Sequence, residues 1–328
     1  MKLGIAGAGM IVNDLLQFVH ETEIELMAIC ATKRNVEHLS QLASEHGFKE
    51  YYTDYDEMLE KADIDTVYVA VPNYLHYRYG LRALQAGKNV IMEKPFASNG
   101  RQAEKLFSLA QEKGLVLIEA ITTLYVPTYQ QIRDNLDKLG DLKIVTVNFT
   151  QYSSKYEAFK SGVIKPAFDV RQSGGCMMDL NVYNIHFVVG LFGRPEEVSY
   201  RAHFERDVDT SGIITMKYPG FNASLIAAKD CASPYISSLQ GDKGCIYFDG
   251  PPNFLNSFDL QQLKCEPVHF VRENRHRMSY EFEKFAEIID NKDLDFAREK
   301  MKETLDVMWV IDEAKKSAGI VFEDDAVL

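Results

Sequence analysis

LGIAGAGMIVNDLLQFVHE, residues 3–21, decides the fold. An apolar run from Leu3 to Ala6 breaks on Gly7 and Gly9 and passes directly into an amphipathic helical pattern, so a strand, a tight turn and a helix follow one another. The alternation then repeats: ELMAIC before VEHLSQLASEHG, TVYVAV before YLHYRYGLRALQAG, NVIME before GRQAEKLFSLAQEKG, and finally LVLIEA. Strands this uniformly apolar need cover on both faces, which predicts an α/β, doubly wound parallel sheet. Gly47, Gly87 and Gly114 fall where helix C-termini favour a residue of positive φ.

Beyond Pro127 the texture changes. LKIVTVNFTQY, EVSYRAHFE, GIITMKY, ASLIAAK and CIYFD alternate apolar with polar residues, the pattern of an antiparallel sheet with one face on a core. A helical pattern runs from Asp179 to Phe192, and two more close the chain, MSYEFEKFAEIIDN and REKMKETLDVMWVIDEAKKSAG. We therefore expect a first domain over residues 1–121 and a second over 122–328, with the last helix a candidate to pack back on the first. No low-complexity linker separates them, and the cleft between is the default ligand site.

Composition narrows the function. The chain has 328 residues, 46% hydrophobic and 26% charged, with no apolar run near the roughly 20 residues of a membrane helix. A formal charge of −12 disfavours nucleic-acid binding, because a phosphate backbone rewards clustered cations. The start MKLGIAGAGM lacks the apolar core and cleavage site of a secretory signal, so residence in the cytoplasm is expected. Five scattered cysteines (Cys30, Cys176, Cys231, Cys245, Cys265) form no CxxC pair and read as reduced, mostly structural thiols. No histidine spacing suggests a metal site.

In its strand-turn-helix context, the turn of Gly7 and Gly9 with Met10 and Ile11 at the helix start suits a pyrophosphate, held by backbone amides. The third glycine of such a fingerprint is replaced by Val12. At the end of the second strand, where an acid would bond the adenosine ribose, stand Thr32, Lys33 and Arg34. A hydroxyl and two cations match a 2′-phosphate, so NADP(H) is preferred and NAD(H) kept possible. Solvated cations at a helix start would look the same.

The strand NVIME runs out on Glu93, Lys94 and Pro95, and functional groups gather at such strand ends in open α/β sheets. Pro95 restricts the backbone of Lys94 and so helps fix its direction. Lysine there can exchange a proton or stabilise an alkoxide. A surface lysine, or one paired with Glu93, is the plainer reading of three residues alone.

The set GIAGAGMI, AVPNYLH with AGKNVIMEKP, and SGGCMMDLNVYNIH resembles the Gfo/Idh/MocA family of NAD(P)-dependent oxidoreductases. That resemblance implies a Rossmann domain, a second α/β domain whose open, mostly antiparallel sheet forms a homodimer or homotetramer interface, and hydride transfer at a carbinol or carbonyl carbon. The expected substrate is a sugar, cyclitol, polyol or dihydrodiol. It makes Lys94 catalytic, puts Glu93, Pro72, Asn73 and His76 at the cofactor, and assigns Asp179 to the substrate. Four residues after Asp179 the family usually has histidine. Tyr183 stands there instead, as in the subgroup resembling dihydrodiol dehydrogenases and glucose-fructose oxidoreductase, and becomes the proton donor or acceptor. A free phenol titrates near 10, so the Lys94 cation would have to favour its ionised form.

Asp179, Tyr183 and His186 share one face at helical spacing; for His186 a hydrogen-bonded core role is the first reading. Leu124 replaces an expected arginine before Pro127, and Asn181 a frequent glycine. Lys155, Lys165 and Arg171 hint at a polar or anionic substrate. The rival reading is a non-catalytic NAD(P)- or sugar-sensing regulator of the same fold, against which retention of Lys94 argues.

Overall fold

The computed structural model describes residues 1–326. In chain order the first elements are β1 (Lys2–Ala6), α1 (Met10–Leu16), β2 (Glu25–Cys30), α2 (Val36–His46), β3 (Glu50–Tyr52), α3 (Tyr55–Lys61), β4 (Thr66–Val69), α4 (His76–Gln85), β5 (Asn89–Glu93), α5 (Gly100–Lys113) and β6 (Leu117–Ala120). Then come α6 (Pro127–Asp134), β7 (Leu142–Thr150), α7 (Tyr156–Lys160), α8 (Val182–Phe192), β8 (Glu197–Glu205), β9 (Val208–Tyr218), β10 (Phe221–Ala228) and β11 (Ser237–Gly241). The remainder is β12 (Gly244–Phe248), β13 (Ser257–Gln262), β14 (Val268–Val271), α9 (Ser279–Asp290) and α10 (Leu294–Ala318). The chain divides into two compact units: Met1–Ala120 with His276–Leu305, and Ile121–Arg275 with the chain from Asp306 on.

In the first unit, six parallel strands lie in the order β3-β2-β1-β4-β5-β6, so the strand order reverses beside β1. This is the doubly wound sheet expected from the repeats, with a topological switch point at β1 and β4. Leu3, Ile5, Val67, Val69, Val90, Ile91 and Met92 are fully buried, as residues covered on both faces must be. Gly47, Gly87 and Gly114 all have positive φ. Val12 is buried, filling the space that a third glycine would leave. The unit is completed from far along the chain. Phe282 of α9 packs edge-on against Tyr68 at 5.2 Å and against Phe18 at 6.2 Å. Arg277 bonds Asp14 of α1 at 3.1 Å, and Thr304 donates to the buried Glu119 at 2.9 Å.

The second unit is built on an eight-stranded sheet, β14-β13-β12-β11-β7-β10-β9-β8, antiparallel at every pairing except β7 with β10. One face is apolar and covered, with Val145, Val147, Ile214, Met216 and Leu225 buried. The α8 helix lies against it: Asn184 and Asn181 donate side-chain hydrogen bonds to the carbonyls of Ile226 (3.0 Å) and Leu225 (3.4 Å) on β10. Asn181, a departure from the family pattern, thus ties this helix to the sheet. Leu124 is likewise a packing residue, buried against Gly190 of α8.

Candidate active site

Parallel strands deliver their carboxyl ends to one sheet edge. The register places Ala6 opposite Val69 and Val69 opposite Met92, so the turn after β1 and the segment after β5 stand two strand spacings apart, roughly 10 Å. Gly7 has φ +126°, and a Cβ there would lie 2.2 Å from the Ala70 carbonyl oxygen, so the turn itself demands glycine. Gly9 differs. Its backbone is extended, φ −92° and ψ −171°, and a Cβ would meet no atom within 4 Å. Neither conformation nor crowding requires glycine at position 9; a ligand lying close against the backbone would. Met10 beside it is 69% exposed. Thr32, Lys33 and Arg34 are exposed and start the turn after β2. These residues fit a dinucleotide with a phosphorylated ribose.

At the end of β5, the Glu93 side chain turns inward. It is buried, accepts a hydrogen bond from the Tyr68 hydroxyl, and accepts a second from the Lys94 backbone N–H at 3.1 Å. Burial pushes the Glu93 pKa up, and the Tyr68 hydroxyl and Lys94 cation pull against it. The Lys94–Pro95 peptide is cis. His76 is 1% exposed; its Nδ1 lies 2.8 Å from the Pro95 carbonyl and its Nε2 2.8 Å from the Val71 carbonyl. Burial pulls the His76 pKa below its ordinary value, while the two carbonyls raise it. The side chains of His76 and Glu93, expected at the cofactor, therefore brace the loops after β4 and β5 from within. Pro72 and Asn73 lie in the loop His76 holds.

In the second unit, Asp179 and Tyr183 sit where a π-helical turn, Met177–Asn181, runs into α8. The sequence pattern predicts a single helix from Asp179; the structure starts two residues earlier and opens with this wider turn. Its entry is tightly built. A Cβ on Gly174 would lie 2.3 Å from the Pro166 carbonyl oxygen, and one on Gly175 (φ +122°) 1.9 Å from Asp209 Oδ1. Asp209 Oδ2 accepts from the Met177 backbone N–H and from the Tyr200 hydroxyl, each at 2.7 Å. This carboxyl on β9 thereby caps the turn that carries Asp179. Burial drives its pKa up to about 6, against those donors and the nearby Lys229 cation.

Asp179 itself is 34% exposed at the side chain and forms an ion pair with Lys229 Nζ at 2.8 Å. Tyr183 is buried, its ring 5.8 Å from that of Phe149. His186 is buried on the same helix. Arg171 grips Asp169 with two hydrogen bonds of 3.0 Å. Against the upward push of burial, Arg171 and Gln172 hold the Asp169 carboxyl below its ordinary range. That guanidinium is engaged with its own neighbour, which weakens it as a sign of an anionic substrate. Asp209 and Lys229 are the residues the sequence reading missed. The one available signal was a lysine closing the apolar run ASLIAAK, a position that alternation points toward a core.

Among the described residues, no group of three or more His, Cys, Asp or Glu could hold a metal ion, and no helix is long and apolar enough to cross a membrane. The model of the oxidoreductase family with an NAD-binding Rossmann fold matches residues 1–121, and that of the GFO/IDH/MocA C-terminal domain matches residues 129–247. A scyllo-inositol 2-dehydrogenase (NADP(+)), IolU of Bacillus subtilis strain 168, is 30% identical over 99% of this chain and 99% of its own. A trans-1,2-dihydrobenzene-1,2-diol dehydrogenase of Xenopus tropicalis is 27% identical over 98% of this chain and 99% of its own. Among solved structures, KijD10, a 3-ketoreductase from Actinomadura kijaniata in complex with TDP-benzene and NADP, superposes with a TM-score of 0.83. It is 25% identical and covers 98% of this chain and 99% of its own.

Proposed function

The chain belongs to the Gfo/Idh/MocA oxidoreductase family, and on that premise we propose that it is an NADP-dependent dehydrogenase or reductase of a cyclitol, sugar, polyol or dihydrodiol. The observation that carries the reading is a glycine turn open to a ligand on the same sheet edge as Lys94, two strands away. The full-length likeness to an NADP(+)-dependent scyllo-inositol dehydrogenase favours a ring hydroxyl as the reacting group and NADP over NAD.

Gly7, Gly9, Met10 and Ile11 would hold the pyrophosphate, Thr32, Lys33 and Arg34 the ribose 2′-phosphate, and the loops of Pro72–Asn73 and Glu93–Lys94 the nicotinamide end. His76 and Glu93 serve by keeping those loops in place. When bound, the nicotinamide supplies or accepts the hydride. Tyr183 takes the proton from the substrate hydroxyl in oxidation and returns it in reduction. Lys94, as a cation, favours the ionised phenol and the developing alkoxide oxygen. Asp179 accepts a hydrogen bond from a neighbouring hydroxyl and so orients the ring. We assign the cofactor to residues 1–121, and the substrate site and self-association through the eight-stranded sheet to residues 122–328. The exposed Ile144, Phe204 and Ile213 on that sheet suit such a contact.

The test is oxidation of scyllo-inositol, myo-inositol, aldoses and a trans-dihydrodiol with each cofactor, alongside NADPH and NADH binding by fluorescence. Wild type should turn over at least one of them and bind NADPH more tightly. Lys94→Ala should lose about 10²- to 10⁴-fold in kcat while binding NADPH almost unchanged. Tight NADPH binding with no turnover of the panel would instead favour a sensor, and preference for NADH would overturn the roles of Lys33 and Arg34.

A further inference from the structure

Lys229, directly after β10, is a deeply buried cation, its side chain 2% exposed. Burying an ammonium costs several kcal/mol unless partners replace its water, and here they converge from separate segments. Asp179 Oδ2 lies 2.8 Å away on the π-helical turn, and the Ala167 carbonyl accepts at 2.5 Å. The Phe168 ring lies 3.9 Å from Nζ, at cation–π range. The lysine backbone is pinned as well: its N–H donates to the Thr210 carbonyl at 2.8 Å, and its carbonyl accepts from Ser153 at 2.9 Å. Asp230, the next residue, turns away to take hydrogen bonds from Thr210 and Ser211 at 2.7 and 3.0 Å. The ammonium therefore has a fixed position, and one oxygen of Asp179 is fixed with it, while that carboxylate stays one-third exposed.

We propose that Lys229 is a positioning residue: it holds Asp179 in one orientation, with the solvent-exposed part of that carboxylate presented to a substrate hydroxyl. This rests on the reading of Asp179 as the group that orients the substrate. It adds a recognition element in which a neutral ion pair, rather than a lone negative charge, faces the ligand. Such a pair accepts a hydrogen bond from an uncharged hydroxyl without repelling a substrate that carries phosphate elsewhere.

The experiment is a double-mutant cycle of Lys229→Met and Asp179→Asn, read as KM and kcat for the cyclitol or polyol the wild type oxidises with NADP+, with NADPH-binding stoichiometry counting folded enzyme. Lys229→Met should raise KM about tenfold in the wild-type background, with unchanged stoichiometry, and cost nothing further in the Asp179→Asn background. Additive losses, or an unmoved KM with only a lower Tm, would overturn the proposal. Should Lys229→Met alone not fold, the double variant, which removes both charges of the pair, is compared with Asp179→Asn, with NADPH-binding stoichiometry counting folded enzyme in each: equal KM and kcat support the proposal and unequal values refute it. If wild type oxidises nothing in the panel, the functional reading has failed separately, and the same cycle in thermal unfolding asks whether the two residues are coupled. Independent, additive effects on Tm would then refute the grip of Lys229 on Asp179.

Discussion

A methyl group at Gly9 would meet no atom within 4 Å, whereas at Gly175 it would stand 1.9 Å from Asp209 Oδ1 on a backbone of φ +122°. Both glycines introduce a helix, so a sequence motif treats them alike; what surrounds them does not. Gly9→Ala should leave Tm within a degree or two of wild type and weaken NADPH binding at least tenfold, because only the ligand needs the space. Gly175→Ala should destabilise the protein by more than about 2 kcal/mol, since the backbone resists a side chain and Asp209 must move. Thermal melts with NADPH titrations separate the two; a stability loss at Gly9 equal to that at Gly175 would contradict this assignment. The positions of Lys94, Asp179 and Tyr183 were legible because each belongs to a local motif. Lys229 and Asp209 were not: they meet Asp179 and its helix only through strand pairing, which no short window of sequence records.

The turn that carries Asp179 is an element whose start depends on one buried acid. Asp209 has a native pKa of about 6 against an ordinary 3.8, raised by burial. Its proton is therefore retained in the native state after the unfolded chain has released it. The stabilisation from this group is fully present below about pH 4 and is lost as pH rises through 6, by about 3 kcal/mol in all. Asp209→Asn removes that titration while keeping an oxygen for the Met177 N–H. Urea unfolding at pH 4, 5, 6 and 7 should show a smaller loss of stability across this range in Asp209→Asn than in wild type; parallel curves would mean that Asp209 titrates normally. At this scale, repeats of strand and helix announced the parallel sheet, because covered strands must be uniformly apolar. The three-residue β3 and the seven-residue α3 escaped, being too short for a period to register. The last two strands, β13 and the edge strand β14, escaped for a related reason, since exposed polar positions dilute their alternation.

At the scale of the molecule, the helix patterns after residue 276 announced an apolar face without saying what it covers. In the structure, His276–Leu305 belongs with Met1–Ala120, and Phe282, Phe285 and Ile288 are buried there. A fragment of residues 1–121, the span of the dinucleotide-binding family model, should therefore expose Tyr68 and Phe18 where Phe282 covers them. We expect it to aggregate or to melt without a cooperative transition, and a fusion restoring residues 276–305 through a flexible linker to recover one. A stable, NADPH-binding 1–121 fragment would show that α9 is dispensable. The same arrangement sets a schedule on the ribosome. The first 120 residues emerge early, yet the helix that closes their core is translated only after the entire intervening segment. At about 5–20 residues per second, the incomplete nucleotide fold waits on the order of 10 to 40 s with aromatic surface uncovered. During synthesis that surface is a natural client for a chaperone, and codons that slow translation before residue 276 would lengthen the exposure.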